Sequence, residues 1–464
     1  MLRLFPRLFL AAAIVLVAGS ASGFSLLGPV DTWQLPAIGY NSPGALGLGD
    51  IGGPMNLGEE YRFNVKTIVY GFDPTFLNYF GQRGVDEINK AMAILNALPP
   101  VSKMSPDLTE FPLDTRRINY QAQSLNLLDL KSMTLSAMAE EMGLASPERY
   151  VWCLRSRITQ PTYTNYTVIT RNFDPVTWAP TNYVNGILYT YTIIEFPPPN
   201  SFADAVEVAP DPLDEFTSVV SAADHLIALT PLGGFLLDSY YPGTFYSGLT
   251  RDDVGGLRYI YSKYNYNEES LPTNTLVGFG GAWAPVGLAI SNTLVNIALR
   301  PGVDKIVFKP GKNDSIFGPF IAITNQYTDT YITNSHRVNQ SVLRPINQPD
   351  ILFAAADLGV GTPSGEPFSW ARSTNFVNNA ALNTFLGGTT HPGPGTLNGG
   401  QVVITFSTDL PYFINQFPNF LSEENPAFVG PQWASFDGTT NAPFVYPQGV
   451  TIQQLEQQVL GGAP

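Results

Sequence analysis

The pattern of apolar and polar residues predicts a strand followed by a helix at the start of the first folded region. Residues 61–72 are rich in aromatic and β-branched side chains, which is typical of strands. Beyond them, apolar residues recur at three- and four-residue spacing at Val85, Ile88, Met92 and Leu95. This spacing places the four side chains on one face of a helix, which the following pair of prolines ends.

Two more helices are indicated by the signals at their ends. Residues 129–142 predict a helix that has Asp129 as its N-cap and ends at Gly143, a residue suited to the left-handed backbone of a C-terminal cap. A further helix is expected to begin at Thr250, because Thr250 and Asp253 have the spacing of a capping box. Each helix is expected to bury one apolar face and to leave the other in solvent.

Strands dominate the rest of the chain. Residues 151–196 are dense in Tyr, Thr, Val and Ile and contain the turn signal Asn185-Gly186, so hairpins are predicted there. After residue 276 the helical periodicity nearly vanishes, and short apolar runs alternate with Gly, Pro and Asn up to about residue 448. This pattern is typical of a β-sandwich. The polar, proline-containing residues 263–275 before it have the composition of a linker.

The first residues have the layout of a cleaved export signal, in which a basic start, a short apolar run and a group of small residues follow one another. We expect residues 1–23 to be the signal peptide, cleaved between Ala21 and Phe24. Residues 24–60, rich in Gly and Pro, are expected to form an extended arm. The apolar run is shorter than the roughly 20 residues that span a bilayer. No transmembrane segment is expected, and the chain is placed outside the cytoplasm, secreted or on the exterior of the cell envelope.

Composition changes this picture in two ways. With 44% hydrophobic and 13% charged residues, a chain of 464 residues can form substantial cores, and its length favours two domains. The formal net charge of -14 excludes nucleic acid as an expected partner, since phosphates would be repelled. The single cysteine, Cys153, is interpreted as a small buried residue rather than a nucleophile, because Trp152 and Leu154 flank it.

Three segments occur in the order found in a family of metalloproteases. They are the strand and helix over residues 61–98, the helix over 129–142, and the segment Thr250-Arg251-Asp252-Asp253-Val254 with its helix. Together they resemble the catalytic domain of matrixin-type metzincins. The whole chain also resembles exported bacterial proteins.

The resemblance implies an α+β fold with two domains. Residues 61–262 are expected to form the metzincin-like domain, a twisted sheet with about three helices, into which a hairpin region at about 150–235 is inserted. Residues 263–275 are expected to link it to a sandwich-like β domain at 276–448. Residues 449–464 are then a C-terminal tail.

The metzincin motif H-E-x-x-H-x-x-G-x-x-H supplies three zinc-binding histidines and a glutamate that activates water. When Gly143 is set at the glycine of the motif, Ser136, Glu140 and Ser146 take the histidine positions and Ala137 takes that of the glutamate. Serine is a poor zinc ligand, and alanine cannot act as a general base. The resemblance therefore implies a protease fold whose catalytic positions are replaced, with no catalytic residue, metal or cofactor expected.

The same residues also have purely structural interpretations. Ser146 followed by Pro147 has the sequence of a helix N-cap with proline at the first helical position. Glu140 with Glu141 is interpreted as the polar face of the helix. Of the three histidines, His225 is the remaining candidate for a catalytic role, and that role requires it to lie near Glu140.

These observations favour a secreted, non-catalytic protein that serves extracellular binding or envelope-associated structure, with an extracellular protein or a glycan as its partner. The alternative is an exported hydrolase, either a divergent zinc metallopeptidase that uses His225 or a glycan hydrolase built from carboxylates. Zinc is expected only under that alternative. The acidic residues from Glu195 to Glu215 are a candidate calcium site, but they lack the spacing of a calcium loop, so a solvated loop is predicted. Aromatic residues of the β-rich half, such as Trp433, are expected to fill its core rather than to stack on sugars.

Overall fold

The computed structural model describes residues 22–28, 33–38, 53–196, 202–208, 227–232, 235–240, 242–272, 274–278, 294–355, 375–376, 401–406, 432–439, 441–447 and 452–454. The described residues combine helices with strands in several sheets, which confirms the α+β class. The expected signal peptide up to Ala21 and most of the expected C-terminal tail lie outside the described residues.

The α-helices of the described residues are α1 (Pro74–Ala97), α2 (Tyr120–Ser124), α3 (Leu130–Glu141), α4 (Pro147–Tyr150) and α5 (Arg251–Ile260). Short 3-10 helices span Pro36–Ile38 and Val101–Lys103. Within the ranges that the structure describes, no helix combines the length and the apolar character needed to cross a bilayer.

The strands up to residue 246 are β1 (Phe24–Gly28), β2 (Gly53–Pro54), β3 (Thr67–Phe72), β4 (Arg116–Ile118), β5 (Leu127–Asp129), β6 (Leu144–Ala145), β7 (Cys153–Thr159), β8 (Thr164–Ile169), β9 (Asn172–Phe173), β10 (Tyr183–Val184), β11 (Ile187–Leu188), β12 (Thr190–Phe196), β13 (Phe202–Val208), β14 (Ile227–Leu232), β15 (Phe235–Tyr240) and β16 (Thr244–Tyr246). The later strands are β17 (Tyr266–Ser270), β18 (Leu276–Val277), β19 (Ile297–Pro301), β20 (Val307–Pro310), β21 (Ile323–Thr333), β22 (His336–Ile346), β23 (Ile351–Ala354), β24 (Asn375–Phe376), β25 (Val402–Thr405), β26 (Gln432–Ser435) and β27 (Phe444–Val445).

Helix α1 begins well before Val85, where the apolar spacing placed it. Asp73 caps its start, because its Oδ1 accepts a hydrogen bond from the Thr75 N–H at 2.7 Å. The ring of Pro74 fits the first helical position, where no N–H is needed. The backbone of Gly81 within α1 is not helical, with a φ of 60° and a ψ of -163°, so the helix is kinked there. Phe76 and Phe80 are buried on the part before the kink, and the predicted apolar residues lie on the part after it.

The hairpins predicted over residues 151–196 are present. Strands β7 and β8, β10 and β11, and β12 and β13 pair antiparallel. Asn185 and Gly186 between β10 and β11 both have positive φ, at 45° and 87°, which is the backbone of the turn that their sequence predicts. Cys153, at the start of β7, is buried as expected.

A parallel sheet crosses the predicted domain boundary. Its strand order is β20-β3-β23-β25, and every neighbouring pair is parallel. Strand β3 comes from the predicted first domain and the other three come from the predicted second. Their buried residues belong to one hydrophobic core together with α1 and α3. The linker at 263–275 therefore does not separate two cores, because the strands beyond it return to cover and extend the sheet that β3 begins.

A second sheet is antiparallel and contains the longest strands among the described residues. Its order is β18-β22-β21-β19-β17-β24. The hairpin of β21 and β22 turns at Asn334 and Ser335, which both have positive φ. The strands predicted in this half from their apolar runs are thus found. They divide between this antiparallel sheet and the parallel one.

The prediction that residues 24–60 form an extended arm is wrong for residues 24–28. Strand β1 is buried along its whole length and pairs antiparallel with β2, β6 and β9. The ring of Phe24 stacks on that of Tyr259 in α5, with centroids 5.9 Å apart. Leu26 is fully buried. The glycines around β1 were interpreted as a sign of an exposed arm, but the apolar residues between them make it a core strand. Residues 39–52 of the expected arm lie outside the described residues.

Replacing Gly143 by alanine is expected to destabilise the protein by more than about 2 kcal/mol. Gly143 has a φ of 104°, and a Cβ placed there would lie 2.2 Å from the backbone carbonyl oxygen of Tyr61. The substitution therefore combines backbone strain with a clash against another backbone segment. The measurement is the midpoint of urea unfolding at constant m-value.

Gly186 provides a control that separates strain from clash. Its φ is 87°, but the nearest atom to an added Cβ is Leu113 Cδ1 at 3.6 Å, an ordinary contact. Gly186→Ala is expected to cost only the strain of positive φ, about 1–2 kcal/mol. If the two variants lose the same free energy of unfolding, the close contact between the added Cβ and the Tyr61 carbonyl contributes nothing, and the prediction for Gly143 is wrong.

Candidate functional site

The site predicted from the sequence lies on helix α3, and both end signals of this helix are confirmed. Asp129 caps its start, since the Asp129 Oδ2 accepts hydrogen bonds from the Ser132 N–H at 3.0 Å and the Ser132 hydroxyl at 2.5 Å. Gly143 follows its C-terminus in the left-handed conformation. The stretch that resembles the active-site helix of metzincins is therefore a helix with the predicted bounds.

Three of the four motif positions lie on α3, and none of the three is exposed to solvent. Ser136 and Ala137 are fully buried, and Glu140 is nearly so. The interpretation of Glu140 and Glu141 as the polar face of the helix is wrong, because both side chains are buried. Helix α1 packs against α3, and strands β16 and β26 also contact it. Segments that are distant in the chain thus contribute to the burial of α3.

Ser146, the fourth motif position, lies outside α3 at the start of the next helix. Pro147 takes the first position of α4, and the Ser146 carbonyl accepts a hydrogen bond from the Tyr150 N–H at 3.2 Å. This is the helix start that Ser146-Pro147 predicted. Ser146 is half-buried, and its position is explained by the local turn.

One of the three histidines has a described position. His225 and His391 lie outside the described residues, and His336 is exposed at the start of β22. Among the residues with a described position, no group of three or more His, Cys, Asp or Glu side chains is arranged to hold a metal ion. The zinc site of the alternative hypothesis stays a prediction that depends on His225.

Glu195, the first residue of the candidate calcium stretch, is engaged by neighbours on other strands. Its carboxylate accepts hydrogen bonds from Arg157 at 2.8 and 2.5 Å and from the Tyr166 hydroxyl at 2.5 Å. These donors lower the pKa of Glu195. Asp211, Asp214 and Glu215 lie outside the described residues, so the calcium interpretation stays a prediction.

Asp129, at the start of α3, is a carboxyl group with a perturbed pKa. Burial raises its pKa to about 6, while Lys131 and the Ser132 hydrogen bonds oppose this rise and the charge of Glu87 adds to it. A pKa near neutrality suits proton transfer. However, Asp129 is fully buried, and its Oδ1 accepts the Phe436 N–H at 3.5 Å. We therefore interpret it as a cap that also fastens the segment after β26 to α3.

Trp433, named above as an aromatic residue of the β-rich half, lies close to this cap. It is fully buried, and its ring packs edge-on against that of Phe406 with centroids 5.2 Å apart. The expectation that it fills the core is confirmed. Trp283, Trp370 and Tyr412 lie outside the described residues.

The most specific piece of the metzincin resemblance, the start of α5, is built as its sequence predicts. The Asp253 Oδ2 accepts the Thr250 N–H at 2.6 Å, and the Thr250 Oγ1 accepts the Asp253 N–H at 3.3 Å. This reciprocal pair is a capping box. The capping box is therefore confirmed.

Asp252, beside the capping box, was named in the sequence only as part of the segment that begins α5, and its contacts were not predicted. Its Oδ2 accepts the N–H of Gly23 at 2.9 Å and that of Asn185 at 2.5 Å. It thereby joins the chain ahead of β1 and the β10–β11 turn to the start of α5. Burial raises the pKa of Asp252 to about 8. The two backbone donors explain the position of the Asp252 side chain, and they oppose the rise in pKa that its burial causes.

A buried charged cluster joins the two halves of the chain, and sequence patterns gave no sign of it. Arg62 Nε lies 2.5 Å from Glu269 Oε1, and both side chains are fully buried. Arg300 Nε lies 2.9 Å from Asp329 Oδ1 nearby. Arg62 also donates to the carbonyl of Arg300 at 2.9 Å. Only the pairing of distant segments shows this cluster, because its members are isolated charges in unrelated stretches of sequence.

No known protein family, characterised protein or solved structure matches the chain. The metzincin resemblance therefore rests on the residues named above.

Proposed function

We propose that this chain is an exported, non-catalytic protein with a metzincin-like domain over residues 61–262, acting in extracellular binding or envelope-associated structure. The observation that carries the proposal is the complete burial of Ser136 and Ala137 on α3. In a metzincin the same two positions hold a zinc ligand and the glutamate that activates water.

The chemistry of a catalytic zinc supports this interpretation. Such a site needs three protein ligands and one position open to water and substrate. The side chains at the ligand positions of this chain are two serines and one glutamate. Ala137 packs in the main hydrophobic core together with Leu135 and Met138. The helix thus contributes its buried side chains to the main hydrophobic core.

A binding role is supported by large apolar side chains that remain exposed. Ile316 and Phe317, which precede β21, are exposed, and so are Ile321 and Ile323 shortly after them. Exposed apolar side chains that lie together, rather than singly, often mark interaction surfaces. An extracellular protein, a glycan or another component of the envelope would meet such a surface in an exported protein.

The test compares two histidine substitutions in the full chain. After exhaustive dialysis, the wild-type protein is expected to hold far less than one zinc per chain and to cleave no peptide in a chelator-sensitive way. His225→Ala and His336→Ala should both leave the zinc content and the peptide-cleavage rate unchanged. Elemental analysis and a peptide-library assay give these readouts.

One pattern of results would establish the zinc peptidase alternative instead. In that case, stoichiometric zinc would be lost in His225→Ala and kept in His336→Ala, and cleavage would follow the metal. The exposed His336 controls for nonspecific metal binding by a surface imidazole.

A further inference from the structure

A short hairpin between β20 and β21 carries apolar side chains at its tip. We name residues 312–321 the apical hairpin. Its arms are joined by the Ile321 N–H, which donates to the Lys312 carbonyl at 2.7 Å, and by the Asp314 N–H, which donates to the Pro319 carbonyl at 3.1 Å. The Gly318 N–H donates to the Ser315 carbonyl at 3.2 Å. The hairpin is therefore closed by its own hydrogen bonds, with a four-residue turn at its tip.

The two central positions of this turn are occupied by Ile316 and Phe317. Their exposed fractions are 75% and 60%. Such positions usually hold Gly, Asn, Asp or Pro, because these residues favour the turn backbone. Neither side chain belongs to a hydrophobic cluster of the described residues. The fold therefore gains little from them, and their apolar character points to something outside the molecule.

The apical hairpin is held firmly at its base. The Gly311 N–H donates to the Tyr70 carbonyl at 2.7 Å, at the end of the parallel sheet. The ring of Phe320 lies so close to Gly311 that an added Cβ would be 2.6 Å from it. Ile321 and Ile323 on the returning arm are also exposed. The tip is thus a convex apolar projection on a rigid support.

Two lysines lie behind this tip. Lys309 and Lys312 are exposed and come before the turn, and the exposed Asp314 lies between Lys312 and the turn. The net charge of the chain is -14, but residues 309–321 contain two lysines and one aspartate and therefore carry a formal charge of +1. Lysine side chains beside an apolar tip match the phosphates above the acyl region of a bilayer.

We propose that the apical hairpin inserts into a lipid surface, with Ile316 and Phe317 entering the boundary of the acyl region and Lys309 and Lys312 meeting the headgroup phosphates. A convex tip needs either a matching concavity or a fluid apolar phase, and the flanking lysines favour the lipid. The inference rests on the proposed envelope role, for which it names the partner. One hairpin tip buries little apolar area, so the binding is weak and reversible.

The first experiment is cosedimentation of the full chain with vesicles of phosphatidylcholine and phosphatidylglycerol. The wild-type protein is expected to bind, and the double variant Ile316→Ser with Phe317→Ser is expected to bind at least about tenfold more weakly. A matched control replaces Ile158 and Tyr163, exposed by 54% and 57% on the β7–β8 hairpin, by serine. This control should bind like wild type. No binding by the wild type, or equal losses in both double variants, would refute the inference.

A second experiment measures the environment of the hairpin tip directly and does not require a variant that binds vesicles more weakly. Phe317→Trp is expected to show a blue shift of tryptophan emission relative to vesicle-free protein when vesicles are added, whereas Tyr163→Trp should show none. Sedimentation velocity without lipid completes the test. A wild-type dimer that the Ile316 and Phe317 double variant abolishes would make a second copy the occupant and overturn the lipid assignment. If the protein does not bind vesicles, the zinc measurement is unaffected. The lipid proposal and the proposed non-catalytic function can therefore be refuted independently.

Discussion

Arg62→Ala is expected to destabilise the protein by about 3–5 kcal/mol, because it leaves the Glu269 carboxylate buried without its partner. The Arg62 guanidinium lies 2.5 Å from Glu269 and also donates to the carbonyls of Ile260 and Asn265. Both members of the ion pair are fully buried. The measurement is the free energy of unfolding in urea, monitored by circular dichroism and fluorescence together.

Two further variants make this prediction specific. Arg117, which forms an exposed ion pair with Asp114 at 3.5 Å, should change stability by less than about 0.5 kcal/mol when replaced by alanine. Replacing Arg62 by Met and Glu269 by Leu together should recover part of the loss, because no buried charge is then left. A double variant as unstable as Arg62→Ala would mean that the backbone contacts of Arg62, rather than its charge, hold the cluster.

The stability of the protein is expected to fall as the pH rises from about 4 to about 8, with Asp252 as a principal cause. The pKa of Asp252 is raised from 3.8 to about 8 by burial. The folded state therefore holds a proton that the unfolded chain releases, so the contribution of Asp252 is fully present below pH 3.8 and is lost through pH 8. A shift of this size corresponds to a loss on the order of 5 kcal/mol.

Asp252→Asn tests this dependence, because asparagine mimics the protonated acid. Its amide oxygen can still accept from Gly23 and Asn185, and the second Asp252 oxygen accepts no hydrogen bond from the described residues. The fall in stability between pH 4 and pH 8 should be much smaller in this variant. The exposed Asp86→Asn should keep the wild-type slope. An unchanged slope in Asp252→Asn would show that Asp252 is ionised in the folded protein at neutral pH.

Local signals predicted the helix ends well. Asp129, Gly143 and the capping box of Thr250 and Asp253 were all found in the predicted roles. Caps and turns depend on a few residues that are neighbours in the chain, and the preferences of those residues are strong. The turn at Asn185 follows the same logic.

Burial on α3 was predicted wrongly. The periodicity of the segment indicated one apolar face, and Glu140 and Glu141 were assigned to the other. In the structure Glu140 and Glu141 are buried, and strands such as β16 and β26, which lie far away in the chain, contact α3. Because the contacts of α3 include segments that are distant in the chain, the local sequence around residue 140 does not predict that Glu140 and Glu141 are buried. The candidate site therefore changed from an open helix face to an interior one.

The sequence alone predicted the ends of α3, the start of α5 and the turn at Asn185, because each of these depends on the identity of a few neighbouring residues. Tertiary structure alone decided that β1 is a core strand, that the parallel sheet runs across residues 263–275, and that Arg62 meets Glu269. Those features arise when segments that are far apart in the chain pack together and exclude water. They therefore depend on the folded chain as a whole and not on any local stretch of sequence.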